Sequence, residues 1–358
     1  MAYPLKFKPV LQPRIWGGDR LHRILGKSVP AKGAGTRWGE SWELADLPPG
    51  SVKADSLGAD KDGALSSVVA NGQWAGKTLR TVLNEHGSDY LPGRSEAYYP
   101  LLVKFLDARD DLSVQVHPTA EYTRNHPGTH VKTEAWYVMD ATPGAKIYKG
   151  LLPGTTREKF ENALRTGKVA EILQQYPARP GDCHSLPSGM VHALGAGVLV
   201  AEAQTPSDTT FRIFDWNRLG PDGKSRALHL KEALEVVNFD AQPVTSGPSH
   251  LRTHQHEDLL MCELVQCEFF NLTRIEFDEG SVLLPPEMCD RQSQVWIVLS
   301  GQGVLDWAGQ SGVALATGDT VLVPAATDPQ RPSYMRVVSP CTVLAARLPQ
   351  FQNSSKGN

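Results

Sequence analysis

The sequence predicts a mainly β protein with helical insertions, built on two small β-barrels. Three observations carry that reading. The 32 glycines and 26 prolines of the 358 residues are spread along the chain, which favours many short strands joined by turns over a helical bundle. Short runs of alternating apolar and polar residues recur from end to end. The stretch Gly181-Asp182-Cys183-His184-Ser185-Leu186-Pro187 is echoed at the same spacing by Gly318-Asp319-Thr320-Val321-Leu322-Val323-Pro324.

The elements follow in chain order. Leu5–Val10 alternates like a strand and leads to Arg14-Ile15-Trp16-Gly17-Gly18. In Gly39–Asp46, Ser41, Glu43 and Ala45 alternate with Trp42 and Leu44, as in a half-buried strand. From about 60 to 95 the pattern is helical, with Leu79, Val82 and Leu83 at helical spacing. Strand-like runs follow at Leu101–Asp107, Leu112–His117, Glu134–Met139 and Ala145–Tyr148. A second helical insertion spans about 155–178. Thr155 and Glu158 read as its capping box, and Phe160, Leu164, Ile172 and Leu173 as its apolar face, interrupted near Gly167. Strands are expected at Val191–Leu194, Val198–Gln204 and Thr209–Asp215. A third insertion over about 229–238 places Leu230, Ala233, Leu234 and Val237 on one side. Residues 1–240 therefore read as the first domain and 241–358 as a second β-rich domain, joined by a polar linker near 240–250. In the second, Val295–Ser300 is a strand running into the glycine turn at Gly301-Gln302-Gly303.

Bulk properties narrow the partners. The chain is long enough for two or three domains, each with its own core. A net charge of −3, with no basic tail, argues against nucleic acid. No run reaches the ~20 apolar residues that cross a bilayer, so no membrane partner is expected. The start Met1-Ala2-Tyr3-Pro4-Leu5-Lys6 lacks a signal-peptide pattern. The five cysteines form no CxxC pair and are read as reduced thiols. The expected compartment is the cytoplasm. Oligomeric state is left open.

The most informative stretch is Gly181 to His192: Gly, five residues, Pro, any residue, Gly, two residues, His. Proline fixes φ and glycine frees it, so the chain can turn a tight corner and bring His192 in on the next strand. Upstream, Gln115 and His117 are two residues apart and share one face of a strand, and Lys132 and Glu134 stand in the same relation on another. Gln115, His117, Glu134 and His192 can thus converge inside one barrel. Two nitrogens and two oxygens suit zinc, or manganese, cobalt or iron, with positions left open for water or a sugar oxygen. The corner at Gly318–Pro324 has no histidine at the matching place, so only the first barrel is expected to hold a metal. His126 and His130 read as solvated loop residues and His184 as structural. Lys104, within Leu101–Leu106, is a lysine inside an apolar run, which is rare unless paired.

These residues resemble the cupin superfamily. Within it, Gln115–Pro118, Lys132–Glu134, Gln204–Arg212, Arg14–Gly18 and Gly39–Glu43 are similar to the type I mannose-6-phosphate isomerases, above all the shorter bacterial form. The resemblance covers about residues 5–230 and is vaguer over 250–350, where it implies a second, degenerate cupin. Within the matched part, Trp216-Asn217 falls where relatives vary. The resemblance implies jelly-roll barrels, one zinc ion per chain on Gln115, His117, Glu134 and His192, and a hexose 6-phosphate substrate. Its important basic residues carry over to Lys104, Lys132 and Arg212, and Asp208 matches a further polar wall position.

The implied reaction interconverts mannose 6-phosphate and fructose 6-phosphate through a cis-enediol. A metal and nearby cations would stabilise charge on O1 and O2. Lys132, beside the metal carboxylate, is expected to have a depressed pKa suited to moving a proton, or else to neutralise Glu134 or bind phosphate. Arg212, on a face with Thr210 and Phe214, suits phosphate or sugar hydroxyls, or a pairing with Asp208 or Asp215. Another cupin sugar-phosphate isomerase or epimerase, and a non-catalytic metal- or sugar-binding cupin, stand as alternatives. Three cations around one metal weigh against the last.

Overall fold

The computed structural model describes residues 2–30, 36–52, 56–220, 223–240, 250–256, 258–289, 292–310, 312–325 and 331–349. The chain is mainly β. Its contacts gather into two compact units, one formed by residues 8–67 and 98–249, the other by 1–7, 68–97 and 250–358. This division differs from a boundary after residue 240. The first seven residues and most of the 60–95 insertion belong with the C-terminal unit. The cause is strand pairing: Leu5–Lys6 pairs with Val321–Leu322, and Phe7 bridges Val69. The expected linker falls on 241–249, outside the described residues.

The unit formed by 8–67 and 98–249 contains two main antiparallel sheets. In the first, the strands lie in the order Leu173–Pro177, Lys146–Leu151, His192–Leu194, Val114–Val116, Phe211–Phe214. In the second, the order is Cys183–Leu186, Glu134–Ala141, Val198–Gln204, Leu102–Ala108, Val10–Gly18, Trp38–Leu44. Alternation sorts each strand into two faces. Ile147 and Leu194 of the first sheet join Leu106, Trp136, Val138, Leu186 and Val200 of the second in one buried cluster, so the inner faces share a core. The other face of the five-stranded sheet, with Val114, Val116, Val191, Ala193 and Ile213, is covered by helices Arg157–Thr166 and Leu230–Val236.

Helical insertions form near the expected places, with shifted ends. The helix in the second insertion is Arg157–Thr166, shorter than 155–178. Its N-cap is Thr156, whose hydroxyl accepts from the Lys159 N–H at 3.3 Å; the Thr155 hydroxyl instead donates to the Leu152 carbonyl. Gly167 takes the left-handed conformation (φ 68) and ends the helix, as glycine does without steric cost. The chain then passes through a 3-10 turn, Val169–Ile172, into the strand Leu173–Pro177, so Leu173 is buried from a sheet edge and not from a helix.

In the other unit, helix Leu79–Tyr90 begins at Thr78, whose hydroxyl accepts from the Thr81 N–H, and buries Leu79, Val82 and Leu83 as the sequence predicts. The rest is one antiparallel sheet centred on the long strands Gln294–Asp306 and Tyr334–Arg347. Among the described residues, no helix is long and apolar enough to cross a membrane.

Candidate metal centre and the cavity around it

The corner read from the sequence forms as a strand, Cys183–Leu186, then a turn, then the strand His192–Leu194. Gly189 has φ 82, and its N–H donates to the His117 carbonyl at 3.0 Å. A Cβ there would meet the Val236 carbonyl oxygen at 2.9 Å, so only glycine lets the turn pack against the end of the helix Leu230–Val236. The corner therefore positions two candidate ligands at once.

His192 lies directly opposite Gln115 across the sheet, and Gln115 opposite Arg212. Glu134 enters from the facing sheet. Its Oε1 is 3.0 Å from His192 Nε2 and its Oε2 3.3 Å from His117 Nε2, and all three side chains are fully buried. The candidate ligand atoms of His117, Glu134 and His192 lie within 4.8 Å of one another. The Gln115 amide reaches His192 Nε2 at 3.2 Å, and half a turn about its last bond would present oxygen at the same place. His192 Nδ1 donates to the Met190 carbonyl at 2.9 Å, which leaves Nε2 with a lone pair for a ligand.

Neither ring nitrogen of His117 and neither oxygen of Glu134 has a hydrogen bond of good geometry, although all four atoms are buried. Orphaned buried polar atoms are costly. His117 Nε2 and the Glu134 carboxylate, converging with His192 Nε2, fit a divalent cation of the zinc type.

Electrostatics favour the ligating forms. Burial, and then the Lys132 ammonium, push the His117 pKa down to about 3, so its ring is neutral. Burial acts to raise the Glu134 pKa, but Lys132 and His117 outweigh it and hold it well below the carboxylate range. Lys132 differs from expectation in its place. It lies in extended chain just before the strand that starts at Glu134. Among its protein neighbours, burial lowers its pKa, and Glu134 (3.2 Å away), Glu202 and Asp208 more than restore it; the expected depression concerns a lysine beside a bound metal.

A cavity of about 310 Å³ opens beside the ligands and is lined by Gln115, Lys104, Lys132, Asp208, Arg212 and Arg226, among others. The structure thus brings all four expected polar wall residues to one cavity. Lys104 is 3% exposed, with Nζ 3.9 Å from Glu202 Oε2 and 5.0 Å from the Trp42 ring centroid. Asp208 sits on the loop after Val198–Gln204, which Ser207 ties to the His130 carbonyl. Arg212 does not share a face with Phe214. A bulge follows Arg212, and Phe214 packs with Phe211 and Ile213 on the outer cluster. Nor does Arg212 pair with Asp208 or Asp215; its Nη1 donates to the Ala227 carbonyl at 2.9 Å.

Comparison with known proteins places this geometry. The family described as phosphomannose isomerase type I, catalytic domain, matches residues 5–144. Mannose-6-phosphate isomerase ManA of Bacillus subtilis is 36% identical over 326 residues, covering 90% of this chain and 93% of the relative. The chain belongs to the type I phosphomannose isomerase family. A crystal structure of the mannose 6-phosphate isomerase from Bacillus subtilis superposes with a TM-score of 0.81 at 28% identity, over 96% of this chain and 99% of that one. A mannose 6-phosphate isomerase bound with zinc and yttrium shares the fold, with a TM-score of 0.68 at 14% identity over 98% of this chain and 100% of that one.

Several residues in and near this cavity escaped the sequence reading. Glu202 lies inside the apolar run Val198–Gln204, the same signal that singles out Lys104, and is registered opposite it. Burial, and then Glu134, push the Glu202 pKa up to about 8. Glu40 and Arg14 reach the same cavity as a two-pronged ion pair, at 2.7 and 3.1 Å. Burial opposes ionisation of Glu40, yet Arg14 and Lys104 hold its pKa at about 2. Arg226 follows the described strands in a loop that carries no periodic signal. His184, read as structural, is buried with neither ring nitrogen partnered.

Proposed function

We propose that this protein is a zinc-dependent mannose-6-phosphate isomerase that interconverts mannose 6-phosphate and fructose 6-phosphate through a cis-enediolate. The observation that supports it most is the convergence of His117, Glu134 and His192 next to Gln115, beside a cavity lined by Lys104, Lys132 and Arg212. Gln115, His117, Glu134 and His192 would hold the ion. Bound there, zinc would act as a Lewis acid toward sugar oxygens.

The chain's own residues do the remainder. Lys132, charged beside Glu134, stabilises negative charge developing on O1 and O2 in a buried site where such a charge acts strongly. Lys104 balances Glu202 and Glu40 and keeps the inner wall from becoming net acidic. Arg212 presents a planar fork to phosphate or hydroxyl oxygens. Asp208, which lines the same cavity as Lys132, accepts from a substrate hydroxyl. Both compact units are read as cupin-like jelly-roll barrels, the C-terminal one degenerate and without metal. A soluble, cytoplasmic enzyme acting on a hexose 6-phosphate fits these features.

The experiment is direct. Purified protein given mannose 6-phosphate yields fructose 6-phosphate, a strong chelator stops turnover, and zinc restores it. Absence of turnover of either hexose phosphate by zinc-replete protein would refute the reading.

A further inference from the structure

Four stretches of chain build the site: the strand that ends near His117, the run Lys132–Glu134, the corner before His192 and the loop with Asp208. Three of them meet at the hydroxyls of Thr133, Thr205 and Ser207, and none of these three residues lines the cavity. Lys132 is the part most in need of support. It precedes the strand that starts at Glu134, so ladder pairing does not fix it. Its own N–H makes only a long bond, 3.4 Å, to the Pro118 carbonyl.

Thr205 supplies the missing hold. It is 5% exposed and directly follows the strand Val198–Gln204. Its Oγ1 donates to the Val131 carbonyl at 2.8 Å and accepts from the Thr133 N–H at 3.2 Å. Those two backbone groups stand just before and just after Lys132, so one hydroxyl grips the main chain on both sides of the lysine. A hydroxyl can do this because it donates and accepts at a single atom, whereas a valine of the same shape does neither. The Thr205 N–H adds a bond to the Thr133 carbonyl at 3.0 Å, which carries the pairing of Gln204 with Glu134 one residue further.

The neighbouring bonds make the hold rigid. Thr133 Oγ1 accepts from the Ser188 N–H at 3.2 Å, which joins the Lys132 run to the corner. The Ser207 hydroxyl donates to the His130 carbonyl at 3.1 Å and accepts from the Thr209 N–H at 3.2 Å. The buried Gln204 amide donates to the Thr205 and Ser207 carbonyls at 2.8 and 2.7 Å, so Thr205 itself has little freedom to move.

We infer that Thr205 is a positioning residue of the isomerase, whose hydroxyl sets the direction in which Lys132 enters the cavity. Its part in turnover rests on the isomerase reading; its hold on Lys132 does not.

The test uses zinc-loaded full-length protein. Thr205→Val and Thr205→Ser are compared in the wild-type and Lys132→Gln backgrounds, with kcat taken per zinc-loaded chain. Thr205→Val should lower kcat for mannose 6-phosphate about tenfold to a hundredfold, the scale of a lost buried hydrogen-bond partner. KM should stay within about threefold, as for an interaction that matters mainly in the transition state. Thr205→Ser should keep most of the activity. In the Lys132→Gln background Thr205→Val should cost less than about twofold, because the side chain it directs is gone. A merely structural role would cost the same factor in both backgrounds. Equal losses in the two backgrounds, or an unchanged kcat in Thr205→Val, overturn the assignment. If Thr205→Val does not fold, Thr205→Ala, which also lacks the hydroxyl, is read by the same cycle. A second readout needs no turnover. Labelling of Lys132 by acetic anhydride, followed by mass spectrometry, should run about fivefold or more faster in Thr205→Val than in wild type or Thr205→Ser. Equal labelling rates would contradict the hold. A wild type that isomerises nothing, while Thr205→Val speeds the labelling of Lys132, defeats the isomerase reading alone.

Discussion

The two compact units run the same strand pattern with opposite chemistry inside. In one, Lys132-Thr133-Glu134-Ala135-Trp136-Tyr137-Val138 pairs with the corner strand so that Glu134 faces Leu186 and Trp136 faces His184. In the other, Gln292-Ser293-Gln294-Val295-Trp296-Ile297-Val298 pairs so that Gln294 faces Val323 and Trp296 faces Val321. Across the other edge, Glu202 and Lys104 lie in register with Trp136, where Ala345 and Thr273 lie in register with Trp296. The second interior closes over Trp296, Trp307, Met261, Met288, Met335 and Phe277. Its inward amide is satisfied, for Gln294 donates to the Met288 carbonyl and accepts from Trp296 Nε1.

One scaffold therefore holds either an apolar core or a polar pocket. Five inward positions decide which. Where they carry Lys132, Glu134, His184, Glu202 and Lys104, buried polar atoms are left without partners and an ion can satisfy several of them. Where they carry Gln292, Gln294, Val321, Ala345 and Thr273, dispersion and burial suffice.

Exchanging residues between the units tests this. Glu134→Gln, which copies Gln294, has the largest expected effect. It removes the one anionic ligand and leaves Lys132 buried beside a neutral amide. Zinc affinity should fall by roughly a hundredfold to ten-thousandfold, the scale of breaking a buried charge pair, as read by competition with a chromophoric chelator. Lys132→Gln, which copies Gln292, should keep zinc but lose about a hundredfold in kcat, the usual cost of one oxyanion-stabilising donor. Retained kcat in that variant would remove Lys132 from the chemistry.

His184→Val, which copies Val321, should be the mildest. Burial, and then Lys149, push the His184 pKa down to about 4 in the folded chain. Between its ordinary value near 6.5 and that point, the unfolded chain takes up a proton that the folded chain refuses. The native protein should therefore lose stability as pH falls across that window, by up to about 1.4 kcal/mol per pH unit from this group. Denaturant titrations at pH 7 and pH 5 should show a shallower loss in His184→Val. An unchanged pH slope would show that His184 plays no part in it.

Much of the polar interior was legible in the sequence because strand alternation is strict. Gln115 with His117, and the corner before His192, declare a shared inner face by spacing alone. Glu134 is legible for the same reason, although Lys132 beside it turns out to precede the strand. Where alternation breaks, legibility stops. The bulge after Arg212 moves Phe214 to the outer cluster. Arg226 sits in a loop, and nothing in its spacing shows that the fold brings it to the cavity. Glu202 carried a readable signal, an acid in an apolar run, and was passed over. The division into units was hidden because it depends on Leu5–Lys6 pairing with a strand more than three hundred residues away.

The central claim is that one interior, and not its counterpart, holds the metal through His192. Zinc counted per chain by atomic absorption on dialysed protein tests it most directly, in wild type and in His192→Ala. The account predicts one zinc per chain in the wild type and almost none in His192→Ala. Two zinc ions per wild-type chain, or one retained in His192→Ala, would contradict it.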